Sequence, residues 1–344
     1  MPQTPMSHPG FPSLTERSPS MTAAEIAESL VPPRQFEGAT LDNYVPDADY
    51  ASQARAVERV RAFAAGWAPS RGMFAKRPPQ TKPGIYLDGG FGVGKTHLLA
   101  ALWKLAPGRT YFGTFIEYTA LVGALGYAAT AKLLSGASFL AIDEFELDDP
   151  GDTMIMTRLL GELVAGGTRI AATSNTPPNA LGEGRFAASD FLREIQALSD
   201  RFETVRIDGL DYRRRDLEGH ATVLDGEEFA AALTAAAAHG AVTADPFDSI
   251  LSHLATVHPS RYVKLVEGLT AVGISHVAVL HDQTQALRFV ALVDRLYDEQ
   301  VHVYATGVAL DAVFGDEMLS GGYRKKYLRA ISRLIALTSP GDTQ

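Results

Sequence analysis

Residues 84–105 of this chain read GIYLDGGFGVGKTHLLAALWKL. This stretch starts with a short apolar run, continues into a Gly-rich turn and ends with apolar residues at helical spacing. The turn, GGFGVGKT (residues 89–96), matches G-x-x-x-x-G-K-[ST], and a strand before and a helix after are the context which that phosphate-binding motif requires. The stretch therefore predicts a strand–loop–helix unit that binds a nucleotide.

Each residue type in this loop has a physical role. Glycines let backbone N–H groups turn towards phosphate oxygens, and the start of the helix adds the positive end of its dipole. We expect Lys95 to reach the β- and γ-phosphates of ATP and the Thr96 hydroxyl to ligate Mg²⁺. Phe91 is expected to pack or to contact a lid. The predicted binding residues are Gly89, Gly90, Phe91, Gly92, Val93, Gly94, Lys95 and Thr96.

A second apolar run, FLAIDEF (139–145), carries two acids where its strand should end. The carboxyl edge of a parallel sheet is where such folds bind ligands. Asp143 is predicted to hold Mg²⁺ through water, and Glu144 to polarise the attacking water. The alternative is a strand that ends in a solvated acidic turn, because Glu146 and further acids follow. The phosphate loop upstream favours the catalytic interpretation.

A third run, RIAATSN (169–175), ends in Asn175. At the end of a buried strand beside the acidic one, this amide is placed to bond the γ-phosphate or the attacking water. An asparagine in a strand-end turn before Pro177-Pro178 is the ordinary alternative. We expect the sensing role.

Three arginines precede the predicted fifth strand, ETVRIDG (203–209): Arg185, Arg193 and Arg201. Charge that develops on a transferred phosphoryl group favours an arginine supplied by a neighbouring subunit. We rank Arg201 first, Arg193 second and Arg185 third, although most surface arginines are only solvated. This role implies a homo-oligomer.

Composition limits the class of protein. The chain has 344 residues, 46% hydrophobic, with a net charge of −9 and no cysteine. The absence of cysteine excludes disulfide frameworks, thiolate metal sites and cysteine nucleophiles. The acidic balance disfavours a nucleic-acid partner, and no apolar run approaches the about 18 residues of a membrane span. We expect a cytoplasmic protein.

Strands that alternate with helical segments predict an α/β fold, namely a P-loop core of five parallel strands with helices on both faces. We divide the chain into a disordered leader (1–33), an arm and helix (34–83), the core (84–210) and a lid-like region (211–344). In the last part, HVAVL (276–280) and VHVYAT (301–306) predict strands that are candidates to extend the main sheet.

The last predicted helix is basic, with no acid between Met318 and Pro340. A solvated helix face is the default expectation. A nucleotide-sensing arginine or a surface for an anionic partner is the alternative. The basic residues are Arg324, Lys325, Lys326, Arg329 and Arg333.

Several segments together resemble the ZapE-like branch of the AAA+ ATPases, which are cell-division-associated proteins of bacteria with mitochondrial relatives. The segments are YLDGGFGVGKTHLL, IDEFELDDPGDTMIMTRLLGELVAGGTRIAATSNTPPNAL, VRIDGLDYRRR, ALRFVALVDRLYDEQVHVYAT and ISRLIAL. The resemblance implies that Gly89–Thr96 form the phosphate loop, that Asp143 and Glu144 are the metal-binding and catalytic acids, and that Asn175 is a sensor. One departure is Asp190, which stands where the family has an arginine.

The function expected from these patterns is Mg²⁺-dependent ATP hydrolysis coupled to conformational work on a protein partner, associated by resemblance with cell division. The first alternative is a DNA-linked ATPase of the helicase-loader kind, because ATLDNYVP (39–46) resembles segments found there. The second is a small-molecule kinase. The Asp143-Glu144 pair favours water as the phosphoryl acceptor over such a substrate.

Overall fold

The computed structural model describes residues 10–67, 82–147, 150–181, 196–197, 199–209 and 219–339. The chain forms two compact units. Residues 22–212 make up the P-loop unit. The C-terminal unit combines residues that precede the P-loop unit in sequence (1–21) with residues that follow it (213–344).

The P-loop unit is built on a five-stranded parallel sheet in the order β2-β3-β4-β1-β5. Its strands are β1 (Gly84–Gly89), β2 (Thr110–Thr114), β3 (Phe139–Asp143), β4 (Arg169–Ser174) and β5 (Phe202–Ile207). The predicted fold class is confirmed. All five strands point the same way, so the residues that follow β1, β3 and β4 meet at one edge of the sheet.

Helices cover this sheet. They are α1 (Ala23–Glu28), α2 (Ala51–Ala65), α3 (Lys95–Leu105), α4 (Phe115–Leu125), α5 (Tyr127–Leu134) and α6 (Pro150–Ala165). On one face of β1, the buried side chains of Ile85 and Leu87 belong to a core cluster shared with α2 and α3. On the other face, the Tyr86 ring packs edge-on against Phe145 and Phe202.

Strand β2 ends one residue earlier than the sequence predicts because Thr114 starts a helix. Its hydroxyl accepts a hydrogen bond from the N–H of Glu117, and the Glu117 carboxylate accepts from the N–H of Thr114. This capping box fixes the first turn of α4. Neither α4 nor α5 was predicted from the sequence.

The C-terminal unit has a parallel sheet of its own, in the order β6-β7-β8. The strands are β6 (Ala241–Pro246), β7 (Leu269–Val277) and β8 (His302–Gly307). Its helices are α7 (Gly226–Ala237), α8 (Phe247–Leu254), α9 (Tyr262–Val266), α10 (Gln283–Asp298), α11 (Asp316–Ser320) and α12 (Arg324–Thr338). The C-terminal strands therefore do not extend the main sheet, and the expected smaller α/β region is confirmed.

One strand prediction in this unit needs correction, and one strand was not predicted. The run HVAVL (276–280) is mostly outside the sheet, because β7 covers residues 269–277 instead. Strand β6 was missed. In its sequence, AVTADP, Thr243 and Asp245 are buried, each about 1% exposed. Because these buried residues are polar, the segment lacks the apolar pattern by which a buried strand is predicted.

The expectation of a disordered leader over residues 1–33 is wrong for residues 10–33, while residues 1–9 lie outside the described part. Leu14 is completely buried in the core of the C-terminal unit. Residues 22–33 belong to the P-loop unit, where the carbonyl of Leu30 accepts a hydrogen bond of 2.8 Å from the N–H of Phe112 on edge strand β2. This Pro/Ser-rich segment is ordered because buried apolar residues such as Leu14 anchor it and because it covers the edges of the sheets.

The expected solvated basic face is wrong for two residues of α12. Arg329 and Arg333 are 6% and 8% exposed, and both pair with Asp294 of α10. The distance from Arg329 Nη2 to Asp294 Oδ2 is 2.6 Å. These arginines are internal counter-ions, because their acid lies on another helix. The side chain of Lys325 lies outside the described residues.

In the part of the chain that the structure describes, no helix combines the length and the apolar character that crossing a bilayer requires.

Candidate nucleotide-binding site

The predicted phosphate loop leaves β1 at Gly89 and enters α3 at Lys95. Gly94 has φ +80°, which favours glycine. A Cβ there would lie 2.4 Å from Cε2 of Tyr44. The Tyr44 hydroxyl donates a hydrogen bond of 2.7 Å to the carbonyl of Val93. The arm before α2 therefore packs directly on the loop, a contact that the sequence did not predict.

Lys95 is the first residue of α3 and is only 9% exposed. Its Nζ donates to the carbonyl of Gly89 at 2.9 Å and to Asn175 Oδ1 at 2.8 Å, and it also bonds the carbonyl of Gly90. The structure thus brings Lys95 and Asn175 together, although 80 residues separate them in sequence. The ammonium group stands where the loop, β1 and β4 converge.

Thr96 and Asp143 also meet at this edge of the sheet. Thr96 Oγ1 lies 3.1 Å from Asp143 Oδ2 and 3.2 Å from Oδ1. A hydroxyl beside a carboxylate is the hard-oxygen donor set that Mg²⁺ takes from proteins, with phosphates and water completing its shell. These two residues therefore fit the ion that the motif implies.

The electrostatics of Asp143 follow from its surroundings. Burial raises the pKa of this carboxyl above its usual value, and the charge of the neighbouring Glu144 raises it further. Hydrogen bonds from Thr173 and Thr96 and the charge of Lys95 oppose the rise in pKa. A cation close to Asp143 would favour the ionised form in the same way.

Thr173 of β4 is a site residue that the sequence analysis missed. Its side chain is 2% exposed, and its hydroxyl donates to Asp143 Oδ1. The Thr173 hydroxyl oxygen also accepts a hydrogen bond of 3.1 Å from the N–H of Glu144. Glu144 itself has φ +52°, a left-handed conformation that is unusual for a glutamate. The only sequence signal was a polar residue within the apolar run of β4.

The sequence analysis also missed a pair of charged residues at the same edge of the sheet. Asp88 of β1, 4% exposed, accepts a hydrogen bond of 2.9 Å from Nη1 of Arg206 on β5. Arg206 also bonds Asp208, and the hydrogen bonds to both acids raise the pKa of its guanidinium. The pair places a compensated buried carboxylate one residue before the loop.

The arginines predicted to act from a neighbour are less fully described. Arg185 and Arg193 lie outside the described residues, as does Asp190. The carbonyl of Arg201 accepts from the N–H of Gly84 at 3.1 Å, so Arg201 lies at the amino edge of the sheet. The loop lies at the opposite edge, about 17–20 Å away at 3.3 Å per strand residue. Arg201 is therefore far from the phosphate loop of its own chain.

Comparisons with known proteins place this geometry in context. The chain is 33% identical over 146 residues to the cell division protein ZapE of Escherichia coli (strain K12), covering 39% of each protein. It is 25% identical over 164 residues to lactation elevated protein 1 homolog B of Danio rerio, covering 41% of this chain and 32% of that one. The aligned part thus spans about two fifths or less of these relatives.

Among solved structures, DnaI is similar, at 20% identity and a TM-score of 0.40, covering 54% of this chain and 98% of that one. The model of a family described as AFG1-like ATPase matches residues 21–237 and 227–342 of this chain. The match takes in the phosphate loop, both acids and Asn175, as well as the C-terminal sheet. The resemblance inferred from the sequence is thereby confirmed, and the chain belongs to the AFG1-like ATPase family.

Proposed function

We propose that this protein binds ATP together with Mg²⁺ and hydrolyses it to ADP and phosphate. The observation that carries the proposal is the convergence of Lys95, Thr96, Asp143 and Asn175 on one loop, with a contact of 2.8 Å between Lys95 and Asn175. Together they meet three requirements of phosphoryl transfer: Lys95 is a cation for the phosphates, Thr96 and Asp143 are oxygen ligands for a metal, and Asn175 is an amide near the γ-phosphate.

The chain's own residues divide the work. The loop N–H groups and Lys95 bind the phosphate oxygens and hold the nucleotide in place. Thr96 and Asp143 would hold Mg²⁺, which when bound neutralises charge on the β- and γ-phosphates. Glu144 accepts a proton from the attacking water, and Asn175 orients that water or the γ-phosphate. This assignment favours water over a small-molecule acceptor, because Glu144 is a base beside the loop.

We further propose that hydrolysis requires a homo-oligomer in which Arg201 completes the site of a neighbouring copy. The position of Arg201 at the amino edge of the sheet supports this role. Arg201 cannot serve its own loop, whereas the ring-forming, head-to-tail interfaces of oligomers join unlike surfaces. Arg193 keeps second place and Arg185 third.

Coupling of hydrolysis to conformational work on a protein partner, in the cytoplasm, completes the proposal. Its support is the family membership and the relative named as a cell division protein. A DNA-linked role is the alternative. It would be favoured by an affinity for single-stranded DNA that falls steeply as salt increases.

The test of hydrolysis uses a matched pair of variants. Glu144→Gln should bind a fluorescent ATP analogue as the wild type does, while phosphate release falls by about 10²–10⁴-fold. Lys95→Ala should lose nucleotide binding, because the β/γ charge is left without its cation. Wild-type phosphate release by Glu144→Gln, or unchanged binding by Lys95→Ala, would overturn the assignment. A phosphorylated metabolite as product would favour a kinase.

A further inference from the structure

Residues 11–17 (FPSLTER), which we call the strap, lie across the C-terminal unit like a bound peptide. The strap contributes one 3₁₀ turn, Leu14–Glu16, and no strand to the sheet. Leu14 is completely buried in the main core of the unit, and Phe11 packs against a second cluster that contains Phe229 and Leu233. Two apolar side chains thus anchor a segment that otherwise runs over the surface.

The polar anchor of the strap is Asp245, at the end of β6 and 1% exposed. Leu14 donates its N–H to Asp245 Oδ2 at 2.7 Å, and the Ser13 hydroxyl donates to Oδ1. The Thr15 hydroxyl lies 3.5 Å from the same oxygen. Among the described residues, every hydrogen bond to this carboxylate comes from the strap. Asp245 is therefore a buried acceptor whose donors belong to a segment 230 to 232 residues away in sequence.

The ends of the strap are also held. The carbonyl of Pro12 accepts from the N–H of Ala244 at 3.1 Å, which covers the edge of β6. At the other end, Nη1 of Arg17 donates to the carbonyls of Leu265 and Glu267 at 2.7 and 3.1 Å. Backbone, hydroxyl, apolar and cationic contacts follow one another along seven residues. Domains recognise short peptides by the same combination of main-chain hydrogen bonds and pockets for side chains.

The location of the contacts points to a binding site. Asp245 lies at the carboxyl end of its strand, and the carboxyl edge is where open parallel sheets bind ligands. We propose that the groove around Asp245 is a peptide-binding site that the strap occupies in cis. A segment of a partner protein would displace the strap by presenting a Ser or Thr hydroxyl to Asp245, an apolar residue of the size of leucine next to it, and an Arg three positions later.

Attachment of the strap to the same chain governs this competition. A tethered ligand rebinds in an intramolecular step, so a free peptide must compete with the strap and binds the wild type more weakly than a chain whose strap is disengaged. Disengagement of the strap removes that competitor. It also leaves the Asp245 carboxylate without its donors, which favours the entry of another peptide.

The test uses the full chain and a fluorescein-labelled peptide of residues 9–19. Leu14→Asp disengages the strap, because a carboxylate cannot enter the fully buried Leu14 position. We expect this variant to bind the peptide at least tenfold more tightly than the wild type. Two controls should remove the gain: a labelled peptide that itself carries Leu14→Asp, and the double variant Leu14→Asp, Asp245→Ala. Equal affinity of the variant and the wild type would overturn the proposal.

A second measurement, hydrogen exchange, distinguishes a strap that opens from one that is a permanent part of the fold. In the wild type, the amide of Leu14 should exchange with deuterium at least a hundredfold faster than that of Val272 in the centre of β7, because the strap opens without global unfolding. Equal protection of the two amides would overturn the proposal. Loss of the C-terminal fold in Leu14→Asp would overturn it as well.

Discussion

The hydroxyl of Thr173 joins the two acidic residues of the loop site, because it donates to the Asp143 carboxylate and accepts from the N–H of Glu144 at 3.1 Å. One side chain on β4 thereby fixes the orientation of Asp143 and the backbone turn at Glu144. The turn has φ +52°, which costs on the order of 1 kcal/mol or more for a residue other than glycine. Thr173 offsets part of that cost.

Removal of this hydroxyl should impair catalysis more than binding. Thr173→Val keeps the shape of the side chain but leaves the Glu144 N–H without its acceptor, a loss of about 1–3 kcal/mol for a buried group. We expect phosphate release to fall about tenfold or more, while the affinity for a fluorescent ATP analogue changes less. Thr173→Ser, which restores the hydroxyl, should recover most of the rate. Full activity of Thr173→Val would contradict a positioning role.

A methyl group at Gly94 should loosen the arm from the phosphate loop. Gly94→Ala places a Cβ 2.4 Å from the Tyr44 ring in a backbone with φ +80°, a strain of about 1–3 kcal/mol. We expect a lower melting temperature in tryptophan fluorescence, together with weaker nucleotide binding. Gly90→Ala is the control for stability, because a Cβ at Gly90 meets nothing within 4 Å. Equal melting temperatures for the two variants would disprove the close approach of Tyr44.

Arg201→Ala should bind ATP normally and lose turnover. A trans-acting arginine is worth roughly 10³–10⁵ in rate, and Arg201 lies at the sheet edge away from its own loop. Mixing with Lys95→Ala subunits, which keep Arg201, should restore part of the activity. Arg158→Ala, which removes an exposed arginine of α6, is the control and should leave turnover unchanged. Wild-type turnover of Arg201→Ala, or of a strictly monomeric protein, would refute the shared site.

Neutralising Asp294 should destabilise the C-terminal unit alone. Asp294→Asn removes a carboxylate that pairs with the buried guanidinium groups of Arg329 and Arg333, and breaking a buried pair costs about 3–5 kcal/mol. Faster hydrogen exchange in β7 reports the effect. Fluorescence of the two tryptophans, both in the P-loop unit, should not change. The exposed Lys264–Glu267 pair supplies the control, because Glu267→Gln should cost less than about 1 kcal/mol.

Acid should remove the same stabilisation from the wild type. Burial alone would raise the pKa of Asp294, but the charges of Arg329, Arg333 and Arg295 outweigh it and hold the pKa below its usual value. The stabilisation is therefore complete above the unfolded pKa of about 3.9 and is lost as the pH falls through the lower, folded pKa. The difference in β7 exchange between wild type and Asp294→Asn should shrink in that range. A constant difference would contradict the ion pair.

Local patterns were sufficient for the features that short segments determine. The phosphate loop, the five core strands and the placement of Asp143 at a strand end each depend on a few consecutive residues, and the structure agrees with them. The approach of Asn175 to Lys95 followed from the parallel order of strands.

The features that escaped prediction depend on contacts between distant residues. Strand β6 buries Asp245, and that burial is acceptable only because Ser13 and Leu14 supply donors from 232 and 231 residues away, respectively. Arg329 is charged yet internal because its acid, Asp294, lies 35 residues earlier on another helix. Composition and periodicity carry no information on such pairings.

The C-terminal unit is assembled from residues that lie before and after the P-loop unit in sequence, which has a consequence for synthesis on the ribosome. The strap leaves the exit tunnel before the P-loop unit, while Asp245 follows 231 residues after Leu14. At about 5–20 residues per second, this interval lasts roughly 10–50 s. The P-loop unit can complete its sheet during that time, whereas the strap, made earlier, waits without its groove and is accessible to chaperones and proteases of the translating cell.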